Sequence, residues 1–285
     1  MNGQLYTMDF FTNLHVGGLG DNLSVVDKQV QRDPITEYPY IQASSLKGAI
    51  RAHAEALGME VDTIGAIFGK DGVPGKSPST QGLVSFLPAN LLLLPLRANH
   101  CAYLQATCPA ILEQLRTTCV LLGKGDSALA NLCTQLLTLY AQNKDKDMLQ
   151  TALLIGKVPD CTPEALRVEG MKVKQVQVAE IPKFSLLQTG LNQLLLLSDA
   201  AMKSVANALP VLAHNRLENG ISKTLWYEEV VPRKTVMYTA MLSSNEDHLT
   251  ALAAVCDTTK EAQPVVQFGA NATLGYGLCK MQKKL

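Results

Sequence analysis

The sequence predicts an α+β fold built from ferredoxin-like units, and three observations support this prediction. A period-two strand pattern near the N-terminus is followed by an amphipathic helix, and strands and helices alternate again in the second half. Hydrophobic residues make up 47% of the 285 residues and charged residues 18%, which is enough to bury a large core. We expect one domain, residues 1–285, made of two ferredoxin-like halves.

The first elements follow from local patterns. Residues 4–14 alternate apolar and polar side chains, which predicts a half-buried strand. Pro34 and Pro39 exclude a regular helix from the long loop after it. The segment 43–58, ASSLKGAIRAHAEALG, has apolar residues at helical spacing. Residues 83–96 then predict two short strands.

The ends of the helix at 43–58 are also specified by the sequence. Ser44 or Ser45 is expected to cap its first turn, because a serine oxygen can accept a free backbone N–H there. Gly58 is expected to end the helix in a left-handed conformation. His53 lies on the apolar face and is interpreted as a core histidine.

A glycine interrupts the polar face of this helix. Gly48 costs about 1 kcal/mol relative to alanine within a helix, and it shares one stripe with Ser44, Lys47 and Arg51. The missing side chain, the helix N-terminus and two cations together favour the close approach of a phosphate. The alternative is a glycine that lets another helix cross at this point.

The middle of the chain predicts a helical insertion at residues 100–147. Two helices are expected within 108–143, separated by Gly123-Lys-Gly125. The elements expected next are strands at 148–158, 165–181 and 192–199, followed by a helix from Ser198 to about residue 209.

The last third of the chain predicts a protruding hairpin at residues 211–233. Strands at 211–218 and 225–231 flank a turn signal, Glu218-Asn-Gly220. The remaining expected elements are a strand at 235–242, a helix at 246–257, and a strand, glycine-rich loop and strand over 265–281.

Charge and composition limit the classes of partner. Lysine plus arginine equals aspartate plus glutamate, 25 each, so a nucleic acid would have to be held by local patches. The seven cysteines contain no C-x-x-C pair, which favours reduced thiols. The longest apolar runs are too short to cross a bilayer, and the N-terminus has no signal-peptide pattern. We therefore expect a cytoplasmic protein with no membrane partner.

Two further segments carry candidate binding residues. The loop Gly269–Gly277 offers a run of backbone N–H groups but lacks the lysine of a Walker motif, so it is either a phosphate-binding loop or a tight turn. The hairpin carries Arg216, Trp226 and Tyr227, whose rings are either base-stacking groups or ordinary core aromatics.

Several of these motifs together resemble a known family. The runs are VVDKQVQR at 25–32, YPYIQASSLKGAIR at 38–51 and IFG at 67–69, with TCPAIL at 107–112, LWYEEVVP at 225–232 and FGANATLGYG at 268–277. They resemble the RAMP superfamily of CRISPR effector proteins, and within it the backbone subunits of type III-B, or Cmr, complexes. Ala43 departs from the pattern, since the family usually has glycine there.

The resemblance implies an RRM-like RAMP fold and a subunit that stacks into a filament along a CRISPR RNA. Its implied partners are that guide, a target RNA, further copies of the chain and other Cmr subunits. The hairpin, or thumb, would displace one nucleotide pair of the guide–target duplex. The implied RNA-binding residues are Ser44, Ser45, Lys47, Gly48, Arg51, Arg216, Trp226, Gly269, Asn271, Thr273, Gly275 and Tyr276.

The resemblance also implies catalysis at each displaced nucleotide. Asp27 matches the catalytic aspartate of the family, and His15 with Tyr227 or Glu228 would complete the site. A divalent metal, Mg²⁺ or Mn²⁺, held partly by Asp27 would help a 2′-hydroxyl attack the adjacent phosphate, giving a cyclic phosphate and a 5′-hydroxyl. Two alternatives stay open: a non-catalytic RNA scaffold of the same superfamily, and a small-molecule α/β enzyme.

Overall fold

The computed structural model describes residues 2–18, 26–72, 78–257 and 265–285. Its helices are α1 Ala43–Ala56, α2 Val61–Phe68, α3 Pro109–Leu121, α4 Ala128–Asn143, α5 Asp199–Ala206 and α6 Glu246–Cys256. Its strands are β1 Asn2–Phe10, β2 Tyr40–Ile41, β3 Gly69–Lys70, β4 Thr80–Gln81, β5 Val84–Phe86, β6 Ala89–Leu96, β7 Leu104–Thr107, β8 Thr151–Ile155, β9 Arg167–Val168, β10 Met171–Gln175, β11 Leu194–Leu196, β12 Val211–Glu218, β13 Ile221–Glu229, β14 Val236–Ser243, β15 Val266–Gln267 and β16 Leu278–Lys283. The predicted α+β class is confirmed.

The two ends of the chain build one ferredoxin-like sheet. Strands β16, β1, β14 and β6 lie side by side in that order, and every neighbouring pair is antiparallel. Helix α1 precedes β6 in the chain, and α6 connects β14 to β16. This is the order in which a βαββαβ unit arranges its four strands. The edge strand β6 passes directly into the middle of the chain.

Residues between β6 and β14 extend the same sheet. Strands β7, β11, β8 and β10 follow β6 in space, and the pairs β7–β11 and β8–β10 are parallel. This order differs from that of the first unit, so the division of the chain into two ferredoxin-like halves stays a prediction. Helices α3 and α4 pack as a hairpin within the predicted insertion, 100–147.

Helix α1 has the predicted apolar face and the predicted end, but not the predicted cap. Gln42, the residue before the helix, occupies the N-cap position and makes no side-chain capping bond within the described chain. The serine-cap prediction is therefore wrong, since Ser44 and Ser45 lie inside the first turn. Gly58 is left-handed at φ 76°, as expected, and its N–H donates to the Glu55 carbonyl at 3.0 Å.

Strand β1 starts and ends earlier than predicted. Its pairing with β14 ends at Asp9 and Val236. The chain beyond Phe10 pairs with other segments. Leu14 forms an antiparallel bridge with Val231. Residues 11–18 thereby lead from the interior of the sheet to the base of the hairpin.

The hairpin β12–β13 forms a two-stranded sheet of its own and is largely exposed. Asn219 and Gly220 have φ values of 52° and 79°, so the predicted two-residue turn is confirmed. Strand β13 begins at Ile221, four residues before the predicted start at 225, because Ile221, Ser222 and Thr224 pair with β12 although residues 222–224 are polar. Helix α2 was not predicted; its short apolar pattern gives a weak signal.

All seven cysteines are free, as the composition suggested. Five of them are buried, and burial raises the pKa of Cys108, Cys133 and Cys256 to about 12. No helix among the described residues is both long and apolar enough to span a bilayer.

Candidate functional site

The base of the hairpin carries a third extended segment, residues 26–32, on the outer edge of β13. The Lys28 N–H donates to the Tyr227 carbonyl at 3.1 Å, and the Glu229 N–H donates to the Lys28 carbonyl at 2.8 Å. Lys28 and Glu228 form a parallel bridge. This pairing joins two parts of the chain that are about two hundred residues apart.

Asp27 is held by the main chain of the hairpin. Its Oδ2 accepts the Tyr227 N–H at 2.8 Å, and its side chain is exposed. The hydrogen bond fixes one carboxylate oxygen while the group remains open to solvent. Asp27 and Tyr227, both predicted catalytic residues, are therefore in direct contact.

Glu228 is buried, with 1% of its surface exposed. Its Oε1 accepts a hydrogen bond from Asn271 Nδ2 at 2.5 Å and lies 3.7 Å from His15 Nδ1. Its Oε2 lies 3.6 Å from Lys28 Nζ. A buried carboxylate needs such partners, because losing water is otherwise costly. Glu228 thus links the hairpin to three separate segments and helps to fix their relative positions.

His15 is also buried, with 4% exposed. Its Nδ1 lies 2.8 Å from the Glu229 carbonyl oxygen, which can only accept, so Nδ1 carries the proton. In the neutral ring Nε2 then carries no proton and can accept a hydrogen bond. It lies on the side of the ring that faces Gly17. The predicted residues His15 and Glu228 are brought together beneath Asp27.

A second buried carboxylate anchors the segment that carries Asp27. Glu229 accepts the Val30 N–H at 3.0 Å and pairs with Arg32 at 2.5 Å. Arg32 also donates to the Ala206 carbonyl at 2.8 Å, at the end of α5. The sequence patterns did not predict these roles of Lys28, Arg32 and Glu229; the charged residues within VVDKQVQR were the available signal.

The glycine-rich loop packs against the segment that contains His15. The Ala270 N–H donates to the His15 carbonyl at 2.8 Å, and Gly269 has φ 75°. A Cβ on Gly269 would lie 2.3 Å from the same carbonyl oxygen, so glycine is required there. Burial raises the pKa of Tyr276, and the negative charge of Glu228 raises it further.

The loop conformation presents several groups outward. Asn271 and Gly275 are left-handed, with φ values of 60° and 76°, and they flank a single 3-10 turn, Ala272–Leu274. Thr273 is exposed. The loop connects two antiparallel strands, β15 and β16, so the tight turn is confirmed. Its N–H groups at residues 270 and 274–277 donate to carbonyl oxygens of the protein, and phosphate binding by the loop stays a prediction.

The polar face of α1 is open. Ser44, Ser45 and Gly48 are exposed, and a Cβ on Gly48 would meet nothing within 4 Å in the described chain. The helix-crossing explanation for Gly48 is therefore wrong within the described chain. Arg51 is partly engaged, since its Nε donates to Glu55 at 2.9 Å.

Gln31 connects this helix to the segment that carries Asp27. Its Oε1 accepts the Gln42 N–H at 3.1 Å, and its Nε2 donates to Gln42 Oε1 at 3.0 Å. Gln42 is the N-cap residue of α1. Gln31 lies four positions after Asp27 in an extended segment, a span of roughly 13 Å at the usual rise per residue. The first turn of α1 and the exposed carboxylate are thus joined by one short extended segment.

The hairpin contributes rings and apolar side chains. The indole of Trp226 stacks on the His214 imidazole, with centroids 5.4 Å apart and planes 13° apart. Leu217, Ile221 and Leu225 are each more than half exposed. Arg216 is exposed and pairs with Glu218 at 3.1 Å.

The predicted metal does not have a built site. Within the described residues no group of three or more histidine, cysteine, aspartate or glutamate side chains is arranged to hold an ion. Asp27 offers one exposed carboxylate, while His15 and Glu228 are turned toward other partners. These residues do not fit a resident ion, so the expected Mg²⁺ or Mn²⁺ stays a prediction.

Comparison with known families identifies the class of protein. The model of the RAMP superfamily matches residues 7–280. This chain belongs to the RAMP superfamily, which confirms the resemblance drawn from its motifs.

Individual relatives show which members of the superfamily this chain resembles. The CRISPR system Cmr endoribonuclease Cmr4 of Pyrococcus furiosus is 25% identical, over 98% of this chain and 94% of that protein. A cryo-EM structure of the type III-B Cmr-beta complex in its apo state contains a chain with a TM-score of 0.78 and 23% identity, covering 99% of this chain and 97% of that one. A crystal structure of oligomeric Cmr4 from Pyrococcus furiosus has a TM-score of 0.65 and 18% identity, covering 100% of this chain and 98% of that one.

Proposed function

We propose that this chain is a guide-binding backbone subunit of a type III-B CRISPR complex and that it cuts the target RNA paired with the guide. The similarity to Cmr4 supports the assignment to this branch. A similar structure, Cmr-beta bound to cognate target RNA, has a TM-score of 0.78 and supports RNA as the partner. Oligomeric Cmr4 supports assembly with further copies of the chain.

Guide binding uses the first turn of α1. The N–H groups of Ala43, Ser44 and Ser45 precede the first intrahelical bond, from the Leu46 N–H to the Gln42 carbonyl at 3.0 Å. No acidic residue lies in this turn, so the positive end of the helix dipole is not offset. Gly48 then leaves room for the sugar–phosphate chain, which accounts for its presence in the helix.

One observation carries the catalytic half of the proposal: Asp27 is exposed and mounted on the base of the hairpin. The apolar side chains farther along the hairpin suit it to separating a nucleotide pair. The Tyr227 N–H of the hairpin donates to the Asp27 carboxylate. This bond holds the carboxylate at a fixed distance from the nucleotide pair that the hairpin distorts. Distortion and cutting are thereby coupled.

The chemistry assigned to Asp27 is proton acceptance. A displaced nucleotide can place its 2′-oxygen in line with the adjacent phosphorus and the leaving 5′-oxygen. The Asp27 carboxylate accepts the 2′-proton, and the products are a cyclic phosphate and a 5′-hydroxyl. His15 and Glu228 hold the glycine-rich loop and the segment 26–32 around this position.

The balanced net charge is compatible with RNA binding in a filament. Each subunit contributes a short stretch of backbone donors and a few cations, and many copies act on one guide. An isolated subunit is therefore expected to bind RNA weakly. The cytoplasm, where a guide–target complex would form, stays the expected location.

The test is Asp27→Asn in the assembled, guide-loaded complex. The substitution keeps an oxygen that can accept the Tyr227 N–H but removes the base. We expect cutting to fall at least about 100-fold, the scale of a lost general base, with guide and target binding retained. Asp126→Asn, in the exposed turn between α3 and α4, is the matched control. Unchanged cutting by the Asp27 variant would leave a non-catalytic scaffold as the function.

A further inference from the structure

Lys28, the residue after Asp27, compensates a buried carboxylate with an ammonium group that itself stays half exposed. The Lys28 side chain is 50% exposed, and its Nζ lies 3.6 Å from Glu228 Oε2. The same atom lies 5.4 Å from the centroid of the Trp226 ring. The buried carboxylate needs the nearby positive charge, and holding the lysine there costs rotamer entropy. The arrangement fixes the position of a charge.

The partner of this ammonium group is itself immobile. Glu228 is 1% exposed, and Asn271 Nδ2 holds its other oxygen at 2.5 Å. Burial and this hydrogen bond keep Oε2 directed at Lys28. The ammonium is therefore tethered on its inner side and accessible to a ligand on its outer side.

The local charge balance gives this ammonium a role. Without it, the carboxylates of Asp27 and Glu228 would make the hairpin base negative and repel a phosphate. Attack on a phosphodiester adds further negative charge to the non-bridging oxygens, and the described residues include no metal-binding cluster. A preorganised cation at this point stabilises that charge without rearranging during the reaction.

We infer that Lys28 is a catalytic residue that binds a non-bridging oxygen of the scissile phosphate in the target RNA. The inference rests on the proposed function. Lys28 transfers no proton: the 2′-oxygen bonds to phosphorus, the bond from phosphorus to the 5′-oxygen breaks, Asp27 takes the 2′-proton, and the leaving oxygen takes a proton from water. The ammonium group acts through its charge.

The test is Lys28→Met in the guide-loaded complex, which keeps an apolar stem against Trp226. With target RNA saturating, the single-turnover cutting rate should fall roughly 100- to 1,000-fold while target affinity changes little. Lys28→Arg should recover most of the rate, because the charge returns. Lys172→Met, an exposed lysine on β10, should cut at the unmodified rate.

A second variant separates lost charge from structural damage. Lys28→Met leaves the buried Glu228 carboxylate without its cation, whereas Lys28→Met with Glu228→Gln leaves no unpaired charge. The inference expects both proteins to cut slowly, and a return to the unmodified rate in the double variant would overturn it. If Lys28→Met cuts normally while Asp27→Asn does not cut, Lys28 has no catalytic role and the proposed function stands. If both cut normally, the proposed function is itself wrong.

Discussion

The polar face of α1 and the base of the hairpin are connected through the contacts of Gln31 with Gln42, but they are built in opposite ways. The α1 face is local: fourteen consecutive residues supply its free amides, its glycine and its cations. The hairpin base is assembled from residues near positions 15, 28, 228 and 271, and its two glutamates, Glu228 and Glu229, are buried and paired. A local surface can stay open for a ligand, whereas a site made of distant segments needs internal contacts to keep its shape.

The largest expected difference between the two regions concerns stability. Glu229→Ala removes the partner of the partly buried Arg32 and the acceptor of the buried Val30 N–H. Breaking such a buried pair should lower the free energy of unfolding by about 3 kcal/mol. Glu55→Ala, which breaks the exposed pair with Arg51, should cost less than about 1 kcal/mol.

Urea unfolding of the isolated subunit measures both changes. Equal effects of the two substitutions would mean that the hairpin base is not held more firmly than the α1 face. The comparison between the regions would then have no energetic basis.

The next prediction concerns Gly48, where stability and binding should move in opposite directions. Gly48→Ala should raise the free energy of unfolding by about 1 kcal/mol, because alanine is the better helix former and its Cβ meets no neighbour. The same Cβ should weaken guide binding in the complex, because it occupies the space reserved for the sugar–phosphate chain. Thermal unfolding and guide retention on a sizing column are the measurements.

Ala52→Gly is the matched control for Gly48, since Ala52 is exposed on the same helix but is not among the predicted contacts. It should lower stability without changing guide retention. A stabilised Gly48→Ala variant that retains guide normally would remove the RNA explanation for this glycine.

The smallest expected effect is a pH dependence of stability that arises from a histidine of α1. Burial lowers the pKa of His53 below its ordinary value, and its Nε2 has no partner in the described chain. The folded state then binds fewer protons than the unfolded state, so stability contributed by the neutral ring is full above about pH 6.5 and declines as pH falls. His53→Gln should reduce the change of the denaturant midpoint with pH between about pH 5 and pH 7. An unchanged slope would assign the pH dependence to other groups.

The same contrast explains how much the sequence predicted. The α1 helix, its glycine end and the Asn219–Gly220 turn depend on neighbouring residues, so local patterns were sufficient. The N-cap prediction failed because several polar residues near the start could serve, and the bonds from Gln31 select Gln42. The roles of Arg32 and Glu229 depend on contacts across about two hundred residues, which no single pattern contains. The family motifs pointed to Asp27, but not to the main-chain bond that holds it.

The most direct test is a structure of the assembled complex with guide and a target RNA that carries 2′-deoxy nucleotides at the cut positions. We expect a guide phosphate within hydrogen-bond distance, about 3 Å, of the first-turn amides of α1. We also expect the displaced target nucleotide to place its scissile phosphate beside Asp27 and Lys28. A complex in which the α1 face is covered by protein, or in which Asp27 lies far from every target phosphate, would contradict the account.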